Sequence, residues 1–282
     1  MAAVALALVS ALLFGGMSVA LRMALQRDPD VALGTLATAA TALAVALVAA
    51  AGEEPSRGLH LGSAWPFLLA GLLSPGAAQI LVTIAIRDSG SSRVSMIFGM
   101  APLVSVTIAL LLLGEPASAP LLVGAVLVVA GGVLLAREQD RPEHLNRIGL
   151  VFAFAGATLF AIRDNLVRHL AVGRTPVPPA VAAAAALLGG TVLIAVWARE
   201  GIGRRWLPFV PAGLLFGGSY VALFEAYYRG RVTVVAPLVA IESLAGVALS
   251  ALLLRHSELV GKRLIGSAAL IVAGGALIGA FR

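Results

Sequence analysis

The sequence contains no cysteine and very little charge. Only 12% of its 282 residues are charged and 60% are hydrophobic, which gives a mean hydropathy of +1.00. The absence of cysteine excludes disulfide bonds and thiolate metal sites. A soluble domain carries about 25% charged residues, so a chain with half that share cannot cover a water-facing surface. Lipid solvates an apolar exterior, and the composition therefore indicates an integral membrane protein.

The chain is nevertheless basic, with a formal net charge of +6. Its 20 Lys and Arg residues are scattered in twos and threes between apolar segments. They form no basic face with interleaved aromatic residues, which nucleic-acid binding would require. Loop charges that orient a membrane protein explain the excess better. We therefore expect a lipid bilayer, and no nucleic acid, as the partner of this surface.

Ten apolar segments are long enough to cross a membrane as helices. A helix that spans about 30 Å of hydrocarbon needs about 20 mostly apolar residues. The segments cover residues 3–24, 31–51, 64–86, 92–113, 119–136, 148–171, 177–198, 206–228, 232–254 and 263–281. Short breaks that carry turn and charge signals separate them, which leaves no room for a soluble domain. The sequence predicts an all-α, multi-pass protein of the inner (plasma) membrane.

The two halves of the chain are similar to each other. "ALLFGGMSVALRMA" (11–24) aligns with "ATLFAIRDNLVRHLA" (157–171) when one residue is gapped. "WPFLLAGLL" (65–73) matches "LPFVPAGLL" (207–215), and "LVVAGGVLLA" (127–136) matches "LIVAGGALIG" (270–279). The matches keep the same order and a spacing of about 142 to 146 residues, which chance similarity does not explain.

An odd number of spans in each copy decides the topology. Because each half has five predicted spans, the second copy must enter the membrane with the opposite orientation. The sequence therefore predicts ten transmembrane helices arranged as two inverted five-helix repeats, residues 1–138 and 146–282. Inverted repeats are the architecture of secondary transporters, whose substrate binds between the repeats near the midplane.

No nucleotide-binding loop of the form G-x-x-x-x-G-K-[ST] occurs in the chain. A transporter without that loop is driven by a gradient or by exchange. We expect a small-molecule substrate, no cofactor, and a monomer or a weak homodimer.

The last two predicted spans of each half share a pattern. The first half reads "MAPLVSVTIALLLLGEPAS" (100–118), followed by "AGG" at 130–132. The second half reads "AIESLAGVALSALLLRHSEL" (240–259), followed by "AGG" at 273–275. This pattern resembles the EamA-type drug/metabolite transporter superfamily, although Ser243 stands where the family's second half usually has proline. The resemblance implies export of small metabolites, such as amino acids, by alternating access.

The orientation in the membrane has two interpretations. The Lys and Arg residues of the loops favour both termini outside the cell. The resemblance to the family implies that both termini are cytoplasmic.

Four carboxylate or guanidinium groups stand out inside the predicted spans: Arg163, Asp164, Glu225 and Glu242. Each costs about 2.5–3.5 kcal/mol at a helix centre, so such residues usually face a bundle interior or a water-filled cavity. Glu242 is the deepest, about ten residues from either end of its span. It also matches a glutamate that the family's second half often carries there. These four residues are candidates for the substrate site.

Two interpretations of these charges stay open. In the structural one, Arg163 pairs with Glu225 or Glu242, while Asp164 pairs with Arg168 one helical turn away. In the functional one, Arg163 holds an anionic group of the substrate, and Glu242 or Asp164 titrates to couple transport to protons.

Uncharged polar residues extend the predicted site. Ser18 occupies the place of Asp164 in the first repeat, and Asn165 follows that aspartate. Gln79 and Tyr220 lie in equivalent regions of the third span of each repeat.

Aromatic and small residues have other expected roles. Tyr227 and Tyr228 are expected in the aromatic belt at a membrane interface. Small residues, as in "FGGS" (216–219) and "AGG", are expected to permit close helix packing. A hinge at Gly217 and Gly218 is the alternative.

The competing class is an integral membrane enzyme that acts on lipid-linked substrates. Such chemistry needs a cluster of acids for Mg²⁺, or a histidine with a carboxylate. The sequence has no acidic pair of the DxxD type, and its four histidines stand in loops or at span ends: His60, His144, His169 and His256. We therefore favour a transporter over an enzyme.

Overall fold

A computed structural model describes residues 2–53, 61–112, 119–136, 147–172, 177–199, 204–254 and 262–280. All regular secondary structure in these ranges is helical. The "GEPAS" and "RHSE" segments of the repeated pattern lie outside them.

Thirteen α-helices occupy the described ranges. They are α1 (Ala2–Arg27), α2 (Val31–Ala51), α3 (Trp65–Gly71), α4 (Ala78–Ser89), α5 (Ser91–Phe98), α6 (Ala101–Leu112), α7 (Ala119–Ala136), α8 (Arg147–Val172), α9 (Pro179–Ala198), α10 (Val210–Arg229), α11 (Val232–Val239), α12 (Ile241–Leu253) and α13 (Lys262–Ala280). A π-helical stretch, Leu72–Ala77, joins α3 to α4, and a 3₁₀ turn, Arg204–Phe209, leads into α10.

The prediction of an all-helical membrane protein is confirmed for these residues. Seven helical stretches are long and apolar enough to cross a membrane: Ala2–Arg27, Val31–Ala51, Trp65–Ser89, Arg147–Ala171, Pro179–Ala198, Arg205–Arg229 and Val234–Leu253. The other three predicted spans coincide with α5 and α6, with α7 and with α13. The count of ten crossings stays a prediction.

Three of the predicted spans are interrupted helices. In the span 65–89, Ser74 has extended backbone angles (φ −148°, ψ 118°), and the next residue is a proline, which has no N–H to donate. The other two interruptions fall at 99–100, between α5 and α6, and at Ala240, between α11 and α12. Ser243 takes the place of the family's proline, and its hydroxyl donates to the Ala240 carbonyl at 2.7 Å.

The helices of the two halves pack against each other in reciprocal pairs. Helix α1 packs on α10, and its repeat equivalent α8 packs on α4. Helix α2 packs on α9, and α7 packs on α13. Helix α1 also packs on α12, just as α8 packs on α6. This exchange of partners is what an approximate two-fold relation between two similar halves produces.

Matched glycines hold the reciprocal pairs in close contact. A Cβ atom on Gly71 would lie 2.0 Å from the Ala186 carbonyl oxygen, where α3 crosses α9. A Cβ atom on Gly213, the repeat equivalent, would lie 2.4 Å from Cβ of Thr41, where α10 crosses α2. Both glycines are therefore required for the approach of their helices.

Glycines of the other small-residue motifs also lie in close contact with neighbouring helices. A Cβ atom on Gly217 would lie 2.6 Å from Cβ of Val45, and one on Gly274, in "AGG", would lie 2.5 Å from the Gly124 carbonyl oxygen. The prediction that these residues permit close packing is confirmed at both positions.

We expect Gly71→Ala to lower the thermal stability of the purified protein. The added methyl group forces α3 away from α9, and overpacking of this kind costs about 1–3 kcal/mol. Gly266→Ala is the matched control, because its Cβ would meet nothing nearer than Leu134 Cδ2 at 3.6 Å. Alanine favours a helix by about 1 kcal/mol over glycine, so the control should melt at the same temperature or higher. Thermal unfolding in detergent measures both, and equal losses would contradict the assignment.

Candidate functional site

A cavity lies in the interior, between helices from both halves. It has a volume of about 30 Å³ in this conformation and lies between side chains of α1, α5, α6, α8, α10, α11 and α12. Its lining residues are Ser10, Phe14, Phe98, Ala101, Phe160, Arg163, Asp164, Ser219, Tyr220, Leu223, Val239 and Glu242. Four residues predicted from the sequence are thus brought together: Arg163, Asp164, Tyr220 and Glu242.

Arg163 is the most completely enclosed charge in the cavity wall. Its side chain is 1% exposed, and its Nη2 lies 2.9 Å from Oδ1 of Asp164. The guanidinium carbon lies 4.5 Å from the ring centre of Tyr220, 5.2 Å from that of Phe160 and 5.6 Å from that of Phe224. Ring faces attract cations, so one carboxylate and three rings stabilise the guanidinium charge, while its Nε and Nη1 have no hydrogen-bond partner among the described residues.

Asp164 receives a second partner from α10. The hydroxyl of Tyr227 donates to its Oδ2 at 2.8 Å. The prediction of Tyr227 in the aromatic belt is wrong, because its side chain is 0% exposed and faces the interior. The spacing of Tyr220, Phe224 and Tyr227 places all three on one face of a helix. That spacing is the signal that sequence reasoning missed.

Glu225 does not take part in this arrangement. The structural interpretation paired it with Arg163, but it bonds to Arg229 on its own helix, whose Nε donates to Oε1 at 2.8 Å. Glu225 follows Phe224 directly, and neighbouring residues of a helix point in different directions. It is therefore not among the residues that line the cavity.

The expected pair of Asp164 with Arg168 is also wrong. Nη1 of Arg168 donates to the Tyr227 carbonyl at 2.8 Å, near the end of α10. Its repeat equivalent Arg22 donates to the carbonyls of residues 86 and 87, at 3.1 and 2.5 Å, near the end of α4. A cation at a helix C-terminus complements the helix dipole. Both arginines therefore stabilise helix ends, one in each half.

Glu242 also lines the cavity but makes no direct bond to Arg163 or Asp164. It lies in the first turn of α12, directly after the interruption at Ala240, and is 4% exposed. Within the described ranges its carboxylate makes no hydrogen bond or ion pair, so the expected pair with Arg163 does not form. The same ranges contain no cluster of three or more His, Asp or Glu side chains that could hold a metal ion.

Three other predicted residues lie away from the cavity. The hydroxyl of Ser18 donates to the Phe14 carbonyl on its own helix at 3.3 Å. Nδ2 of Asn165 donates to the Ala161 carbonyl at 3.0 Å. Gln79 is fully buried, and neither atom of its amide group has a hydrogen-bond partner among the described residues.

Two serines of the cavity wall were not predicted. The hydroxyl of Ser10 donates to the Ser219 carbonyl at 3.0 Å, and that of Ser219 donates to the Ser10 carbonyl at 3.0 Å. These reciprocal bonds join α1 to α10 across the two halves. Serines are frequent in transmembrane helices as packing residues, so residue type alone does not mark them.

The apolar part of the wall is aromatic and was not predicted either. Ring centres lie 5.3 Å apart for Phe14 and Phe98, 5.6 Å for Phe14 and Phe160, and 5.4 Å for Phe98 and Phe160. Phe14 and Phe160 occupy the same position in the aligned repeats. That match is the signal that could have identified them.

Comparison with known families identifies the class of this molecule. A family model described as "EamA-like transporter family" matches residues 1–137 and 147–280. The chain belongs to the EamA-like transporter family. The resemblance inferred from the repeated pattern is confirmed, and this family member is a multi-pass membrane protein. The enzyme interpretation gains no support.

The fold also has a solved counterpart. A structure titled "Crystal structure of protein" is 21% identical, with a TM-score of 0.69, and the match covers 98% of this chain and 95% of that chain. At this identity the likeness shows the fold alone. No curated protein matches the chain.

We expect Asp164→Asn to lower the melting temperature strongly, because it leaves the buried Arg163 guanidinium without a carboxylate in contact with it. Breaking a buried ion pair costs about 3–5 kcal/mol, whereas replacing both partners by uncharged side chains costs less. The double variant Arg163→Met/Asp164→Asn should therefore melt above the single variant. Glu225→Gln is the control, since it removes an ion pair whose arginine is half-exposed, worth about 0–1 kcal/mol. A double variant that melts below Asp164→Asn would show that the pair is not mutually compensating.

Proposed function

We propose that this EamA-like protein is a secondary transporter that exports small metabolites, such as amino acids. Substrate binds in the cavity between the halves, and alternating access exposes that cavity to each side of the membrane in turn. The observation that carries the proposal is the convergence of Arg163, Asp164 and Glu242 on one cavity. Buried charges in membrane proteins mark transport pathways. The protein acts as a monomer or a weak homodimer in the inner (plasma) membrane.

The interrupted helices support this assignment. Phe98 and Ala101 line the cavity on either side of the interruption at 99–100, and Val239 and Glu242 flank the one at Ala240. Discontinuous helices at equivalent positions of two repeats are the usual site of substrate and ion binding in secondary transporters. The reciprocal packing of the halves supports a transporter built from two inverted repeats.

Proton coupling is assigned to a carboxylate of the cavity. Asp164 already has the Arg163 guanidinium at 2.9 Å and the Tyr227 hydroxyl at 2.8 Å as partners. Glu242 makes neither an ion pair nor a hydrogen bond within the described part of the chain. Of the two, Glu242 is therefore free to exchange a proton without breaking a bond of the fold.

The transport proposal is tested in proteoliposomes that contain an amino-acid mixture. We expect a proton gradient directed against the substrate flux to raise the initial rate of substrate transport. Export is then coupled to the entry of protons from the opposite side. Glu242→Gln removes the titrating group and should abolish this acceleration, whereas Glu225→Gln should keep it. If Glu242→Gln transports with the wild-type dependence on the gradient, Glu242 has no part in coupling.

The inverted arrangement is tested by labelling engineered cysteines, which the absence of native cysteine makes straightforward. We expect Arg27→Cys, after the first predicted span, and Arg174→Cys, after the sixth, to react with an impermeant maleimide from opposite sides of the membrane. Permeabilised cells, in which both positions should react, are the control. Labelling of both from the same side would eliminate the five-plus-five inverted scheme.

A further inference from the structure

The charges around the cavity do not balance. Arg163 contributes one positive charge, while Asp164 and Glu242 contribute two carboxylates. Because Asp164 is in direct contact with Arg163 at 2.9 Å, those two charges neutralise each other. Among the described residues of the cavity wall, the carboxylate of Glu242 is left without a cation in contact with it.

We propose that Glu242 binds the ammonium group of an amphiphilic organic amine, and that Arg163 positions Asp164 and the surrounding rings without contacting the substrate. This inference rests on the transport function proposed above and specifies its substrate class. The site requires a positively charged amine on the substrate. It does not require a carboxylate there.

Arg163 is unsuited to a substrate carboxylate because its guanidinium is already covered. Its Nη2 forms an ion pair with Asp164, while its Nε and Nη1 are fully buried and have no hydrogen-bond partner among the described residues. The rings of Phe160, Tyr220 and Phe224 surround it within 5.6 Å. Tyr220 is in turn held by the hydroxyl of Ser74 at 3.3 Å. An anion would reach the guanidinium only by displacing a ring or Asp164.

Glu242, in contrast to Arg163, is suited to bind a charged group of the substrate. Its side chain lines the cavity and is 4% exposed, and within the described ranges it accepts no hydrogen bond. An ionised carboxylate in so dry a place needs a cation or a proton. An ammonium group supplies both the charge and the N–H donors. Amine and proton therefore compete for one carboxylate, which makes their transport an exchange.

The rest of the wall is apolar, which is the chemistry that an apolar body attached to the amine would contact once the cavity widens to admit it. Phe14, Phe98 and Phe160 present a cluster of rings beside the charged residues, and Leu223 and Val239 extend the apolar surface. Ring faces also attract an ammonium group directly. The hydroxyls of Ser10 and Ser219 each donate a hydrogen bond to the other residue's backbone carbonyl. They therefore need no polar group of the substrate as a partner.

Three ligands that share a phenyl ring on a two-carbon chain separate the possibilities. Phenethylamine carries only the ammonium group, 3-phenylpropionate carries only the carboxylate, and phenylalanine carries both. Titration calorimetry on the purified protein and counterflow in proteoliposomes measure binding and transport. We expect phenethylamine to bind and to be transported at least as well as phenylalanine, and 3-phenylpropionate to bind at least tenfold more weakly. Phenethylamine affinity should also fall as the pH is lowered, because protons compete for Glu242.

Variants assign the binding to Glu242. Glu242→Gln should lose at least tenfold in phenethylamine affinity, Glu242→Asp should retain part of it, and Glu225→Gln should bind as the wild type does. The pH dependence of the wild type provides the same test if Glu242→Gln does not fold.

The outcomes distinguish this inference from the function on which it rests. Tight binding of 3-phenylpropionate, a need for both charges of phenylalanine, or full affinity in Glu242→Gln would each overturn the amine site while leaving transport intact. Amine binding that depends on Glu242 without any flux would uphold the site and reject the transport function. Failure of all three ligands to bind would also overturn the amine site.

Discussion

The ion pair between Arg163 and Asp164 determines how the interior of this protein is arranged. Neither charge can remain without partners in a dry interior, and α8 alone cannot supply enough of them. Helix α10 provides two of the three rings around the guanidinium and the hydroxyl that donates to the aspartate. Because those three side chains share one face of α10, the ion pair fixes the rotation of α10 against α8. The same helix then carries Ser219 to Ser10 of the other half.

Sequence reasoning located these charges but not their partners, for one physical reason. Hydropathy and the cost of burying charge report the depth of a residue along a span, so Arg163, Asp164 and Glu242 could be selected. They do not report which way the side chain points around the helix axis. That direction is set by long-range packing, such as Gly213 of α10 against α2. Glu225 and Tyr227 were misassigned because only their depth was known.

The duplication explains which features recur and which do not. Close-packed glycines such as Gly71 and Gly213, and the helix-capping Arg22 and Arg168, occur in both halves and were recoverable by aligning them. The charged pair occurs in one half only, since Ser18 stands at the equivalent of Asp164. A framework must be repeated if two halves are to pack reciprocally. A single cavity between them needs its charges only once, so internal alignment identifies the scaffold more readily than the site.

The position of Glu242 links the state of the cavity to the arrangement of the halves. Arg163, Asp164, Tyr220 and Tyr227 lie on α8 and α10, which their mutual contacts hold together. Glu242 lies on α12, which packs on α1 and α5 of the first half and is separated from α11 by the interruption at Ala240. Any movement of α12 with the first half changes the distance from the unpaired carboxylate to the ion pair. If the proposed alternating access moves α12 in this way, the electrostatic energy of Glu242 differs between the conformations, and binding of a proton or a cation shifts their populations.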